Sequence, residues 1–267
     1  MDASQPIGIF DSGIGGLTIA SAIHQLLPKE SIIYFGDTAH LPYGEKSHDA
    51  IRYYALRICR FLLENKCKAI VVACNSASTA AYEVLLEFFH HKAVFVNVVD
   101  PLVEATLALN KKQIGIIATH ATVQSGVYQK LLQSPQDHVQ VHALATPLLA
   151  PMIEEGFVNN NISHSVIENY LTDKMLSTIE VLLLACTHYP LIKREIEHFF
   201  QNRIPVLDST EVTAKQLERA LADQNLLSQE KVLKDHFYVS DYSENFAHAT
   251  RLFYPENIKL EGMNIWS

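Results

Sequence analysis

The sequence predicts an α/β fold made of two similar parallel-sheet domains. Short apolar runs rich in β-branched residues alternate with longer amphipathic segments, which is the pattern of βα units around a largely parallel sheet. An apolar strand that ends in Ala-Cys and is followed by small polar residues occurs twice, which indicates two related halves. No segment is rich enough in Pro, Gly or Ser to form a flexible linker, so the two halves are expected to pack closely.

The predicted strands and helices alternate along nearly the whole chain. The strands are predicted at Ile7–Phe10, Ser31–Gly36, Ala69–Ala73, Val94–Val98, Gln113–Ala118, Val139–Ala143, Glu180–Ala185, Ile204–Leu207 and Phe237–Val239. The helices are predicted near Leu17–Leu27, His48–Asn65, Ala77–Phe89, Pro101–Leu109, Thr122–Leu132, Pro147–Gly156, Ser163–Leu176, Leu191–Phe200 and Glu211–Ala222.

The composition argues against a nucleic-acid-binding or membrane-spanning protein. Hydrophobic residues make up 48% of the 267 residues and the formal net charge is −8, so nucleic acid is not expected as the primary partner. Apolar runs such as Val181–Cys186 are far too short to span a bilayer. The amino terminus enters the apolar run Ile7–Phe10 without a basic leader, which predicts a cytoplasmic protein.

The repeated pattern places a cysteine at the end of a strand in each half. The first copy is Ala69–Ser76 and the second is Val181–His188. Upstream of each copy lies another strand with a polar end, at Gly8–Ser12 and at Gly115–Thr119. Because ligands bind at the carboxyl ends of the strands in open α/β sheets, both cysteines are expected at a ligand site.

Two loops at this predicted edge are candidates for ligand contacts. Asp11–Gly16 joins a strand to a helix, and its backbone amides could face an anion, or Asp11 and Ser12 could simply cap the helix. Its spacing matches neither a dinucleotide fingerprint nor a phosphate-binding P-loop. Asp37–Gly44 carries several hydrogen-bonding groups and could hold a small polar ligand or be an ordinary loop.

The four cysteines are expected to be thiols, because so few in a chain of this length do not form a disulfide framework. Cys74 and Cys186 each lie between a strand and a following helix, where the helix dipole should favour the thiolate and lower the pKa. Cys59 and Cys67 lie on or just after a predicted helix among core-type residues, and inert burial is expected for them.

A metal centre and a hydrolase site are the two other kinds of site that these residues could form. The cysteines never form a C-x-x-C pair and the 13 histidines are scattered, so no metal site is expected. A hydrolase built on Cys186 and His188 is possible, but two residues on one turn need not be within reach of each other. That hypothesis also leaves Cys74 unexplained.

Taken together, these residues resemble the glutamate racemase family of bacterial cell-wall synthesis, part of the wider aspartate/glutamate racemase group. The matching segments follow the family's order over nearly the whole chain: Gly8–Thr18, Asp37–Thr38 with Pro42–Gly44, Ala73–Ser78 and Leu184–Leu191. The chain departs from the family twice. Ser76 stands where Thr is usual, and Ala185 stands where Gly is common.

The resemblance implies a cleft between two α/β domains as the active site. The first domain would comprise residues 1–97 plus 208–267 and the second residues 98–207. Cys74 and Cys186 are implied as the acid/base pair, Asp11 assisting the first and His188 the second, with no metal or pyridoxal phosphate. The implied substrate-contacting positions are Asp11, Ser12, Pro42, Tyr43, Gly44, Asn75, Ser76, Thr119, Thr122, Thr187 and His188.

By the same resemblance the chain would interconvert L- and D-glutamate and so supply D-glutamate for peptidoglycan synthesis and cell shape. Racemisation removes a proton from one face of the α-carbon and returns one to the other, which two thiols on opposite walls can do. Cys74 is implied to deprotonate D-glutamate and Cys186 L-glutamate. The alternatives are an aspartate or other amino-acid racemase of the group, or an inactive amino-acid-binding regulatory protein. A homodimer is left open.

Overall fold

Six parallel strands form the first sheet and four parallel strands form the second. The computed structural model describes residues 1–133 and 139–266. The first sheet has the order β10-β9-β2-β1-β3-β4 and the second β6-β5-β7-β8. The strands are β1 (Ile7–Asp11), β2 (Ile32–Gly36), β3 (Ala69–Val72), β4 (Val94–Asn97), β5 (Gln113–Ala118), β6 (Gln140–Ala145), β7 (Val181–Ala185), β8 (Val206–Asp208), β9 (His236–Val239) and β10 (Leu260–Gly262).

Helices cover both faces of each sheet, as the crossovers between parallel strands require. They are α1 (Leu17–Leu26), α2 (His48–Glu64), α3 (Asn75–Phe89), α4 (Asp100–Leu107), α5 (His120–Ser125), α6 (Val127–Leu132), α7 (Leu149–Glu154), α8 (Asn161–Leu171), α9 (Lys193–Phe199), α10 (Thr210–Asp223) and α11 (Glu244–Phe253). Short 3-10 helices lie at Thr38–His40, Tyr43–Glu45, Lys174–Leu176 and Tyr189–Ile192. Within the described ranges, no helix is long and apolar enough to cross a bilayer.

The two sheets repeat one arrangement of strands. The order β2-β1-β3-β4 in the first sheet corresponds to β6-β5-β7-β8 in the second, and in each the cysteine-bearing strand lies beside the first strand of its half. Phe10 of β1 pairs with Val72 of β3, and Ala118 of β5 pairs with Ala185 of β7. The predicted two-sheet α/β class is therefore confirmed.

The central strands β1, β3, β5 and β7 are buried on both faces, which explains why they are continuous apolar runs. Side chains alternate along each strand: Leu182 and Leu184 of β7 contact one apolar cluster, and Leu183 contacts another. The first of these clusters also contains Ile7 and Ile9 of β1, so one core extends across both sheets. This shared core holds the two sheets in a fixed relation, in line with the expected close packing. The predicted domain boundaries stay a prediction.

Three differences from the sequence prediction change the number of α-helices or strands. The helix predicted at Thr122–Leu132 is broken at Gly126, whose φ of +65° ends α5 and redirects the chain into α6. Helix α11 was not predicted, although Ser243 caps it by accepting a hydrogen bond from the Phe246 amide. Strand β10 was also not predicted, because three residues that end in Gly262 carry too little apolar pattern.

Candidate active site

A cavity of about 310 Å³ lies between the carboxyl ends of the two sheets. Its wall comprises residues from both halves of the chain, namely Ser12, Leu41, Pro42, Tyr43, Gly44, Glu45, Cys74, Asn75, Ser76, Thr119, Pro147, Ala150, Pro151, Glu154, Cys186, Thr187 and His188. Most of the predicted site residues are in this set. The two exceptions, Asp11 and Thr122, are buried just behind it. Both cysteines singled out from the sequence therefore face one small chamber.

Cys74 follows β3 and is the N-cap residue of α3. The side chain is almost fully buried, and its sulfur lies 3.7 Å from Ser12 Oγ. Burial raises the pKa of the Cys74 thiol, the Asp11 carboxylate raises it further, and hydrogen bonds from the Ala77 amide and to Ser12 lower it by less. The amide at the helix N-terminus thus lowers the pKa of Cys74, as expected, but burial and Asp11 outweigh it, so the expectation of a net lowered pKa is wrong. The Cys74 thiol therefore keeps its proton near neutral pH.

Cys186 follows β7 and has different neighbours. The chain continues into the 3-10 helix Tyr189–Ile192 and not directly into an α-helix. The expectation that Cys186 lies at an α-helix N-terminus is therefore wrong. Its sulfur lies 3.7 Å from His188 Nδ1. The His188 Nε2 atom in turn lies 2.8 Å from Glu154 Oε1. The two residues on this turn are thus within reach of each other, and a carboxylate orients the imidazole.

His188 is held as an imidazolium. Burial is the largest single influence and lowers the pKa of His188, but the hydrogen bonds to Cys186 and Glu154, together with their negative charges, outweigh it and raise the pKa well above its ordinary value. A buried imidazolium beside Cys186 stabilises negative charge on that sulfur. The site therefore combines a protonated thiol on one wall with a cysteine sulfur next to a cation on the other.

Asp11 shapes the turn that carries Ser12. Its Oδ2 atom accepts hydrogen bonds from the Gly13 and Gly16 amides, and its fully buried Oδ1 atom has no partner among the described residues. The N-cap residue of α1 is Gly16, with no side-chain cap. Neither Asp11 nor Ser12 is therefore the N-cap residue, although Asp11 accepts a hydrogen bond from the amide of the N-cap residue itself. The carboxylate instead tightens the turn and lies close enough to Cys74 to influence its protonation.

A cluster of hydroxyl groups joins the two halves beside the cavity. Ser76 Oγ lies 2.9 Å from Thr119 Oγ1 and 3.4 Å from Thr122 Oγ1. Thr119 is the N-cap residue of α5 and accepts a hydrogen bond from the Thr122 amide. Gly44 packs against the same threonine, since a Cβ atom on Gly44 would lie 2.8 Å from Thr119 Cβ. These hydroxyls and amides can bind an anion without a basic side chain.

The loop Asp37–Gly44 is built around one buried carboxylate. Asp37 accepts hydrogen bonds from the Tyr43 hydroxyl at 2.7 Å and the Ser240 hydroxyl at 2.7 Å, and its oxygens lie 2.9 Å from His40 Nδ1. Burial raises the pKa of Tyr43 well above its ordinary value, so its hydroxyl remains protonated. Asp37 thereby fixes Tyr43 at the cavity wall.

One wall of the cavity was missed at the sequence level. Pro147, Ala150, Pro151 and Glu154 all face the cavity from α7 and the segment before it, and Leu41 and Glu45 complete the set that was not anticipated. The first four residues have the i, i+3, i+4, i+7 spacing of one helix face, and this spacing is the sequence pattern that could have identified the wall. In the described part of the chain, no three His, Cys, Asp or Glu side chains are placed to hold a metal ion. Cys59 and Cys67 are buried in the core, as expected.

Comparison with known proteins gives matches along the whole chain. The family model for Asp/Glu/Hydantoin racemase matches residues 16–217. Glutamate racemase of Chlorobaculum tepidum is 40% identical over 259 residues, which are 95% of this chain and 93% of that protein. The crystal structure of glutamate racemase from Francisella tularensis in complex with D-glutamate is 35% identical, with a TM-score of 0.92 and 99% of each chain covered. Glutamate racemase from Thermus thermophilus in complex with β-chloro-D-alanine is 37% identical, with a TM-score of 0.89 over 99% of this chain and 98% of that one.

Proposed function

This chain belongs to the Asp/Glu/Hydantoin racemase family, and we propose on that basis that it interconverts L- and D-glutamate by a two-thiol mechanism. The observation that carries the proposal is the single cavity walled by Cys74 and Cys186, each with its own assisting group. The curated relatives that match at this level are named glutamate racemases, which favours glutamate over aspartate.

In the L-to-D direction the Cys186 thiolate removes the α-proton, and the Cys74 thiol gives its proton to the opposite face of the carbanion-like intermediate. The electrostatics of the site support this order, because burial and Asp11 favour the protonated form of Cys74 and the His188 imidazolium lies beside the Cys186 sulfur. In the reverse direction the two cysteines exchange roles. Exclusion of water from the small cavity strengthens the fixed dipoles that stabilise the intermediate.

The substrate carboxylates are held by hydroxyls, amides and the imidazolium. No Lys or Arg is among the described residues on the cavity wall. Ser76, Thr119 and Thr187 offer hydroxyls, and Asn75 offers an amide, on walls from both halves. Two thiols suffice as the acid/base pair, so the reaction is proposed to need neither pyridoxal phosphate nor metal. As in the family, the product D-glutamate would serve peptidoglycan synthesis in the cytoplasm.

Isotope exchange tests the proposed activity. Deuterium from D₂O is expected to enter the α-position of both L- and D-glutamate, and this exchange should survive dialysis against a chelator and treatment with hydroxylamine. ¹H NMR and circular dichroism measure exchange and racemisation separately. Exchange with aspartate only would reassign the substrate, activity restored only by pyridoxal phosphate or zinc would refute cofactor independence, and no exchange with any of the four amino acids would favour the binding-protein alternative.

The substitution Glu154→Gln tests the role of the imidazolium. In the wild type the raised pKa of His188 keeps the ring charged until the pH rises through that value. The variant removes one of the groups that raise this pKa, so the charge should be lost at lower pH. We expect kcat with L-glutamate to fall by roughly 10-fold or more, as for the loss of a hydrogen bond to a charged group, with the alkaline limb of the pH profile shifted to lower pH. The neighbouring exposed residue offers a matched control, Glu155→Gln, and equal pH profiles for the two variants would contradict the assignment.

A further inference from the structure

The side-chain amide of Asn75 has one satisfied end and one unsatisfied end. Its Oδ1 atom accepts a 2.7 Å hydrogen bond from the Tyr128 hydroxyl. Its Nδ2 atom is buried and has no partner among the described residues. Asn75 is on the cavity wall and is only 2% exposed. A buried amide donor without a partner costs about 1–3 kcal/mol, so this geometry indicates that a ligand in the cavity supplies the missing acceptor.

Tyr128 comes from the opposite half of the molecule. Asn75 begins α3, which follows the first sheet's β3, whereas Tyr128 lies on α6, which packs beside β6 of the second sheet. The break at Gly126 sets the direction of α6, and Tyr128 is buried almost completely. The hydrogen bond between them therefore links the two halves at the edge of the cavity.

The Tyr128 hydroxyl acts as the donor in this bond. Burial raises the pKa of Tyr128, and the nearby charges of Asp100 and Cys186 raise it further, so the hydroxyl keeps its proton at any working pH. The bond to Asn75 is the one that this hydroxyl makes within the described residues. A protonated phenol next to the amide favours the orientation in which Oδ1 faces Tyr128 and Nδ2 remains for the cavity.

We propose that Tyr128 is a positioning residue that fixes the Asn75 amide so that Nδ2 donates a hydrogen bond to a carboxylate of the substrate. The inference rests on the proposed glutamate racemase function and deepens it. The opposite orientation of the amide would present Oδ1 to the substrate and repel a carboxylate. The bond also couples substrate affinity to the contact between the two halves, because the donor is aligned only while α6 and α3 are in contact.

A double-mutant cycle tests this role. Steady-state racemisation is measured in both directions for the wild type, Tyr128→Phe, Asn75→Ala and the double variant. Tyr128→Phe deletes one hydroxyl, and we expect KM for both enantiomers to rise about 10-fold with kcat changed by less than about 3-fold, because a ground-state contact is lost. In the Asn75→Ala background the same substitution should change KM by less than about 2-fold, since no amide remains to be oriented. Tyr254→Phe is the matched control, because its buried hydroxyl has no partner in the described part of the chain.

Each result of the double-mutant cycle either supports the positioning role of Tyr128 or overturns it. An unchanged KM in Tyr128→Phe, or an equal rise in KM with and without the Asn75 amide, would overturn the inference. A fall in kcat with no change in KM would overturn it as well, since that pattern points to the chemical step. Thermal unfolding of each variant identifies any that fail to fold. If Asn75→Ala or the double variant does not fold, calorimetric titration of the folded Tyr128→Phe with D-glutamate must show the weaker binding. A wild-type protein without racemase activity would instead refute the proposed function.

Discussion

Replacing Cys74 with Ser is expected to lower racemisation by about 10²–10⁴-fold in both directions, the range for loss of a general acid or base. A hydroxyl is a far weaker base than a thiolate near neutral pH, and in the L-to-D direction it is also a far weaker acid than the thiol it replaces. The Cys186 wall keeps its sulfur, its imidazolium neighbour and the Glu154 carboxylate. It should therefore still remove the α-proton of an L-amino acid.

A substrate with a β-leaving group separates the two walls, because elimination after deprotonation needs no proton from the far side. In Cys74→Ser, elimination from the L enantiomer should persist while that from the D enantiomer is lost. In Cys186→Ser the preference should reverse. Ammonia or keto-acid release from D- and L-β-chloro amino acids measures both rates.

Cys59 provides the control for removing a cysteine sulfur outside the active site, since it is fully buried in the core away from the cavity. Cys59→Ala should keep the racemase activity and the balance between the two enantiomers. Equal loss of elimination from both enantiomers in both active-site variants would refute the assignment of one cysteine to each face. Full racemase activity in either variant would remove that cysteine from the mechanism.

The two cysteines could be located from the sequence because their position depends on local pattern alone. A buried parallel strand is a short continuous apolar run, so the carboxyl ends of β3 and β7 were visible where the runs that end in Ala73 and Ala185 are followed by Cys and polar residues. The relation between the two halves followed from the same pattern, whereas the order of the strands in each sheet did not. Strand β10 lacked a comparable signal because it is only three residues long, whereas helix α11 had one in the cap Ser243 and the apolar pair Phe246 and Phe253, and the prediction missed it.

The electrostatics of the site could not be predicted in the same way. The pKa of Cys74 depends on its complete burial and on Asp11, which is 63 residues away along the chain and adjacent in the fold. The partner of His188 is Glu154, and nothing local to either residue identifies the other. Likewise, Tyr128 reaches Asn75 only because Gly126 turns the chain between two helices that the apolar pattern presents as one.

Gly15→Ala is expected to reduce racemase activity by about 10²-fold or more, because displacing a reacting group by about 1 Å lowers the reaction rate by a factor of this size. A Cβ atom on Gly15 would lie 2.4 Å from both Cε1 and Nδ1 of His188 and 2.6 Å from Thr187 Oγ1. The imidazole cannot easily move aside, since Glu154 holds its far nitrogen and Phe253 packs edge-on against the ring at 5.3 Å between centroids. Either His188 must leave Cys186 or the turn must move away from the second sheet.

The two responses to this substitution differ in which wall they affect, and elimination kinetics can tell them apart. Displacement of His188 removes the cation beside Cys186, so elimination from the L enantiomer should fall while elimination from the D enantiomer, which depends on Cys74, is retained. Movement of the whole turn would also break the 3.0 Å hydrogen bond from Thr18 Oγ1 to the Thr187 carbonyl and shift Ser12. Elimination from both enantiomers should then fall. Gly13→Ala is the control within the same turn, because a Cβ atom there meets only the flexible end of Leu41, at 3.0 Å. Wild-type rates in Gly15→Ala would show that Gly15 and His188 lie farther apart in the working enzyme than in this structure. The close approach of this turn to His188 would then have no role in the mechanism.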